Sequence, residues 1–318
     1  MATTTNITTS YAGQEAAPYV AAALLESVTL NRGGVDVMPG IKFRKTLRPT
    51  NIEDIIADAT CDFTATSSVT VLERQLEPKE LQVNTQFCKA DFTDTWEAQE
   101  MGFGLGETLP KEFSKFIIAE YAAQVAEKNE INLWRGDKGN DGEYDGFVTL
   151  ISADADLPTD QEIAGTTVDA SNVIDELGKI VDAIPDRLYG KEDMKIYVAN
   201  NIYKAYKRAL GGFGANGLGA NGVNGQGNNQ NLDSLQFDGV EIFQTFGLAA
   251  NTAIATRKSN LKFGVGDLVN HGEVKLLDMA DVDASRNVRF VMRFSAGVQY
   301  EFAKDFVTYG ITNSANPA

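Results

Sequence analysis

From Val288 through Phe290, Met292, Phe294, Ala296, Val298 and Tyr300 to Phe302, apolar residues take every second position. The other register carries Arg289, Arg293, Ser295, Gln299 and Glu301. Such alternation puts one face of a strand in a core and the other in water. An ordinary strand runs about 5–6 residues, so this segment is expected to be one long strand or to bend at Gly297. Leu81, Val83, Thr85 and Phe87 alternate with Gln82, Asn84 and Gln86, which predicts a second half-buried strand.

A helical period appears at Phe113, Phe116, Ile117, Tyr121, Val125 and Ile131, and predicts a helix over Lys111–Trp134. Pro110 stands where a first-turn proline belongs. At 1.5 Å per residue the rod would be ~36 Å long. A tight polar loop, Gly136–Gly146, follows. Val173, Ile174, Leu177, Ile180, Val181 and Ile184 mark a second helix, with Ser171 as its expected cap and Pro185 as its stop. Met194–Ala199 reads as a strand, Asn201–Leu210 as a helix, and Val240–Phe246 and Thr252–Thr256 as strands. Helices mixed with strands over residues 147–275 predict a compact α/β unit.

Two N-terminal segments have less to bury. Residues 1–40 read as an arm: Met1–Ser10 is polar, Ala16–Leu25 suits a short helix with Pro18 in its first turn, and Gly33–Gly34 breaks it. The arm is expected to bury little within its own subunit. Residues 41–78 read as a long hairpin, with Ile41, Phe43 and Leu47 going out and Val69, Val71 and Leu72 returning. Pro49, Pro78 and the run Thr64–Thr70 punctuate it. A two-stranded hairpin is unstable alone in water, so it needs a surface to lie on. Gly102, Gly104 and Gly106 form a joint before the long helix.

Composition narrows the function. With 318 residues, 43 % of them hydrophobic, the chain can bury a sizeable core. A net charge of −16 argues against a nucleic-acid binder or a docking site on an anionic membrane. Cys61 and Cys88 have no metal-ligand spacing and fit buried thiols in a reducing compartment, with a single Cys61–Cys88 bridge the sharper alternative. The start lacks the pattern of a signal peptide, and Val20–Leu25 is too short to span a bilayer. Assembly in a cytoplasm is expected.

Candidate chemistry is sparse. Gly211–Asn231 is dominated by Gly and Asn and matches GxGxxG at Gly212–Gly217 and again at Gly217–Gly222. A dinucleotide fingerprint must follow a strand and open a helix, whereas this one follows a predicted helix, so a flexible loop is the better reading. Asp137, Asp141 and Asp145 suggest calcium, but counting from Asp137 puts Gly139 at position 3 and Val148 at position 12, where an EF-hand needs ligands. A hydrated turn fits better. His271 is the one histidine, set between Asn270 and Gly272. No GxSxG or GxxxxGK[ST] occurs, and no pair of carboxylates stands out as catalytic. No catalytic, cofactor-binding or metal-binding residue is assigned.

The order of parts (arm, long hairpin, strand, long helix, polar loop, α/β unit, return strand) resembles the major capsid proteins of tailed double-stranded DNA bacteriophages, of the Hong Kong 97-type fold. The resemblance is densest over Pro78-Lys-Glu-Leu-Gln-Val-Asn-Thr-Gln-Phe-Cys-Lys-Ala-Asp-Phe92 and over Phe116–Gly146, with Glu130-Ile-Asn-Leu-Trp-Arg-Gly-Asp137 and Tyr144-Asp-Gly-Phe147. Tyr197–Leu210 and Asp278–Tyr300 add to it. The resemblance implies an α+β fold with an N-terminal arm (1–40), an extended β-hairpin loop (41–78), a peripheral domain with a long spine helix (79–146 and 276–318) and an α/β axial domain (147–275). It implies a structural protein and not an enzyme. Its copies would form the hexamers and pentamers of an icosahedral shell around the genome, beside a portal, a separate scaffolding protein and in some cases a decoration protein. The start is too short for a fused scaffolding prodomain, and no covalent crosslink can be assigned to a given Lys or Asn. Removing residues 1–30 is expected to abolish closed shells while leaving a soluble fold. Two rivals remain at this point: a nucleotide-binding α/β enzyme using Gly211–Asn231, and an acidic surface or adhesion module.

Overall fold

The computed structural model describes residues 10–11, 27–53, 56, 58, 68–88, 111–211, 235–266 and 273–314. The chain runs β1 (Ser10–Tyr11), α1 (Val28–Asn31), β2 (Asp36–Met38), β3 (Lys45–Leu47), β4 (Thr50–Glu53), β5 (Ser68–Val71), β6 (Arg74–Leu76) and β7 (Lys79–Cys88). It continues with α2 (Lys111–Arg135), α3 (Phe147–Ile151), β8 (Glu162–Ile163), α4 (Val173–Asp182), β9 (Met194–Ala199), α5 (Asn200–Gly211), β10 (Leu235–Phe237), β11 (Val240–Thr245) and β12 (Ala253–Arg257). The last elements are β13 (Leu261–Val265), β14 (Glu273–Asp278), α6 (Ala280–Asp283), β15 (Asn287–Tyr300) and β16 (Val307–Tyr309).

The alternating segment is one strand, β15, of 14 residues. It does not end at Gly297; there the backbone passes so close to the hairpin base that a Cβ would sit 3.0 Å from the Glu77 carbonyl oxygen. The first half of β15 lies between β14 and β7, and its second half pairs with β13, which pairs in parallel with β2. β1 extends this first sheet through β14. The helix α2, 25 residues and ~37 Å long, buries Ile117, Ile118, Ala122, Ala126, Leu133 and Trp134. Tyr121 stacks on Phe290 of β15 with ring centroids 4.5 Å apart.

The second sheet runs β10-β11-β9-β12-β16-β8. The helices α4 and α5 cover it through Val173, Leu177, Ile180, Ile202 and Tyr206. The chain crosses between the sheets at 258–260 and again at 301–306, and Asn260 ties the two crossings together. It is fully buried; its Nδ2 donates to the Phe302 carbonyl (2.9 Å) and its Oδ1 accepts the N–H groups of Glu301 and Phe302.

Two expectations need correction. Ser171 does not cap α4: Asp169 Oδ1 accepts the N–H groups of Ser171 and Asn172, because a carboxylate folding back on its own turn outcompetes the hydroxyl for those donors. The helix ends at Asp182, and Ile184 closes a tighter turn through its N–H to Val181 O. The second half of the N-terminal arm is also not a free reach. Ser27, Thr29, Leu30 and Val35 are buried, β2 joins the first sheet, and the Tyr197 hydroxyl donates to Gly34 O. The expected helix Ala16–Leu25 and the joint Gly102–Gly106 lie outside the described residues.

Candidate functional site

The residues singled out for chemistry do not come together. His271, Cys61 and the Gly/Asn run beyond Gly211 lie outside the described residues. Cys88 ends β7 as a free, half-buried thiol. Asp137 and Asp145 spend their oxygens on the loop itself: Asp137 Oδ1 accepts Gly139 N–H at 2.8 Å, and Asp145 accepts Lys138 N–H and pairs with the Lys138 ammonium at 3.1 Å. Asp141 is exposed. Among the described residues no group of His, Cys, Asp and Glu is arranged to hold a metal ion, and no helix is long and apolar enough to cross a membrane.

A cation does sit in this loop, and it is Lys79. Its ammonium donates to the carbonyl oxygens of Glu143 (2.7 Å), Lys138 (3.3 Å) and Asn140 (3.4 Å). Glu143 completes the knot by accepting from Lys128 Nζ (2.6 Å), Asn140 Nδ2 and Asp137 N–H. These donors hold its carboxyl at about 2, with Lys128 the main cause. The sequence offered no sign of this, since Lys79 opens a strand far from the loop in sequence.

The hairpin carries exposed apolar groups. β3 pairs with β6 and β4 with β5 as two-stranded ribbons. Large apolar groups stand in water along it: Phe43 is 84 % exposed and Ile56 93 %. Single exposed apolar side chains are ordinary; a contiguous group of them is the usual mark of an interaction surface.

The base of the hairpin is built differently. Leu76 and Leu47 are buried there. Arg74 of β6 lies over the Tyr300 ring, 4.4 Å from its centroid, and pairs with Asp154 at 2.6 Å. Asp154 also accepts the Tyr300 hydroxyl. Burial alone would raise the Asp154 carboxyl; the hydrogen bonds from Tyr300 and Asp156 N–H, with the charge of Arg74, outweigh it and hold the group below its usual range. Burial and the same carboxylate push the Tyr300 phenol up. A rigid base under an exposed, apolar ribbon can present that ribbon to a neighbour in a fixed direction.

No protein family matches the chain as a sequence, and no curated protein matches it. Solved structures do. The capsid of an empty GTA particle superposes with a TM-score of 0.57 at 12 % identity, covering 92 % of this chain and 90 % of that one. The capsid of Myoviridae phage XM1 gives 0.53 at 12 % identity, covering 97 % and 96 %. A chain of Mycobacterium phage Adephagia gives 0.54 at 16 % identity, covering 92 % and 91 %. The chain therefore has the α+β architecture of the Hong Kong 97-type capsid fold.

Proposed function

We propose that this chain is the major capsid protein of a tailed double-stranded DNA bacteriophage, a structural subunit and not an enzyme. The observation that carries the reading is the superposition on phage and particle capsids, which covers 92–97 % of this chain rather than one shared motif. The exposed apolar hairpin supports it, because a monomer gains nothing from such a ribbon. The charge of −16 supports a wall that encloses DNA without binding its phosphates.

In this reading copies of the chain form hexamers and pentamers, and one sequence meets several slightly different neighbour geometries. Residues 1–40 form the arm and 41–78 the extended loop. Residues 79–146 with 276–318 form the peripheral unit, and 147–275 the axial unit. β2 and β13 are lent to the sheet of the peripheral unit and β16 to that of the axial one. A portal, a separate scaffolding protein and in some shells a decoration protein are the further partners. The protein resides in the virion after assembly in the host cytoplasm.

Negative-stain electron microscopy of the purified chain, alone and with the scaffold encoded beside it, tests the proposal. Closed shells, or rings of five and six subunits, are expected; monomers under both conditions would refute it.

A further inference from the structure

The 136–146 loop holds Lys79 without a counter-charge. The ammonium meets the backbone carbonyl oxygens of Glu143, Lys138 and Asn140 at 2.7, 3.3 and 3.4 Å, so its three donors face three acceptors. Among the described residues no carboxylate lies within ion-pair distance of it. The acidic groups of the loop are engaged elsewhere: Glu143 pairs with Lys128, Asp145 with Lys138, and Asp137 Oδ1 accepts the Gly139 N–H. What surrounds the ammonium is a set of neutral dipoles converging on one point.

That set is built without Lys79. Gly146 N–H donates to Gly136 O (2.8 Å), Asn140 N–H to Asp137 O (3.0 Å), and Asn132 Nδ2 of α2 to Gly142 O (3.1 Å). None of these bonds involves the lysine, so the carbonyls keep their directions when its side chain is gone. A cleft of about 610 Å³, with Lys79, Asp141 and Gly142 in its wall, lies open against the seat.

The spacing and the donor type select the ion. Carbonyl oxygens can replace the water shell of a large monovalent cation, as they do for potassium. Calcium takes oxygens at about 2.3–2.6 Å and favours carboxylates, and magnesium demands about 2.0–2.1 Å. The seat is too wide for either and offers no carboxylate. Potassium has nearly the size of an ammonium group. Without the lysine charge the loop is also left more acidic, since Asp137 and Asp141 have no cation within ion-pair distance among the described residues. We propose that the 136–146 loop is a monovalent-cation site for ions of potassium or ammonium size, and that Lys79 is the tethered ligand that fills it. Free potassium takes the seat whenever the lysine side chain leaves it. The inference goes beyond the capsid reading and does not depend on it.

Cation rescue tests it. Lys79→Ala opens the seat. In choline chloride, whose cation is too large to enter, the variant should melt a few degrees below wild type. Exchanging choline for potassium or ammonium at constant ionic strength should raise the Tm of the variant by about 2 °C. Sodium should do less and lithium nothing. Wild type, with its seat filled, should show no such order. Equal response of the variant to all the cations would overturn the inference, and so would the same order in wild type. Should Lys79→Ala be unfolded in choline chloride, potassium is expected to restore its native near-UV circular dichroism and lithium is not; no recovery in potassium would count against the site as well.

Discussion

Glu130 and Thr29, 101 positions apart, are joined twice: the carboxylate accepts the backbone N–H of Thr29 at 3.0 Å and its hydroxyl as well. Trp134, one turn further along α2, donates its indole N–H to the same hydroxyl oxygen at 3.1 Å. All three side chains are buried. The carboxylate thus does for α1 what a local capping residue does for other helices, and fastens residues 27–34 to the end of the long helix. Replacing Thr29 by Val leaves the buried carboxylate and indole short of partners. A loss of about 2–3 kcal/mol is expected, read from the urea midpoint at constant m-value.

The same knot fixes where the arm can be cut. Removing residues 1–30 takes Thr29 and Leu30 out of the core, so that truncation should compromise folding and cannot test assembly. Removing residues 1–24 spares them. The shorter truncation is expected to unfold within a few degrees of the full chain and to fail to close shells; normal shells would show that the arm is dispensable.

Gly247 is where the backbone of the second sheet's loop touches α2. A Cβ there would lie 2.2 Å from Glu130 O and 2.5 Å from Trp134 Cδ1. Gly247→Ala is therefore expected to cost about 3 kcal/mol, visible as a fall in Tm, whereas Ala at Gly178, which meets nothing within 4 Å, should be tolerated.

The Glu143 carboxyl, held at about 2 against an ordinary 4.5, gives a pH signature. A group whose pKa is depressed on folding contributes stability that is fully present above its unfolded pKa and is lost as pH falls through the folded value. The stability gap between wild type and Glu143→Gln should hold constant above about pH 4.5 and close toward pH 2. Denaturant midpoints across that range would show it; a gap independent of pH would deny the knot its charge.

Arg74→Ala should loosen the hairpin without unfolding the body. It removes the Asp154 pair and the contact over Tyr300, a loss of about 2 kcal/mol at the base. Limited proteolysis should cut the hairpin about tenfold faster than in wild type, with cleavage elsewhere unchanged.

The parts legible in the sequence were those with a period. β15 and β7 alternate, α2 and α4 repeat at helical spacing, and each stands where its pattern placed it, with α4 alone ending short of the expected stop. β13 escaped because every residue from Leu261 to Val265 is buried; a strand covered on both faces carries no alternation to read. The anchoring of residues 27–38 escaped for another reason. Thr29 and Gly34 are polar or small, and what holds them is a carboxylate and a phenol that arrive from distant elements. The hairpin base was equally opaque: Arg74, Asp154 and Tyr300 meet only because three segments converge. Local patterns report the face an element shows to solvent, not the long-range partner that a single polar group finds.

The ammonium of Lys79, seated among the carbonyls of the 136–146 loop, also acts as a ratchet stop. Lys79 is the first residue of β7 and stands opposite Ala296 of β15. A slip of β7 by one residue would turn its apolar side to water and needs no further guard. A slip by two keeps every face correct, so hydrophobic matching cannot reject it. Such a slip would drag the ammonium about 7 Å along the strand, out of a three-oxygen seat that fits neither residue two positions away: Glu77 brings negative charge, and the Leu81 side chain has no donor. The loop thereby proofreads the one error in pairing that the core would let pass.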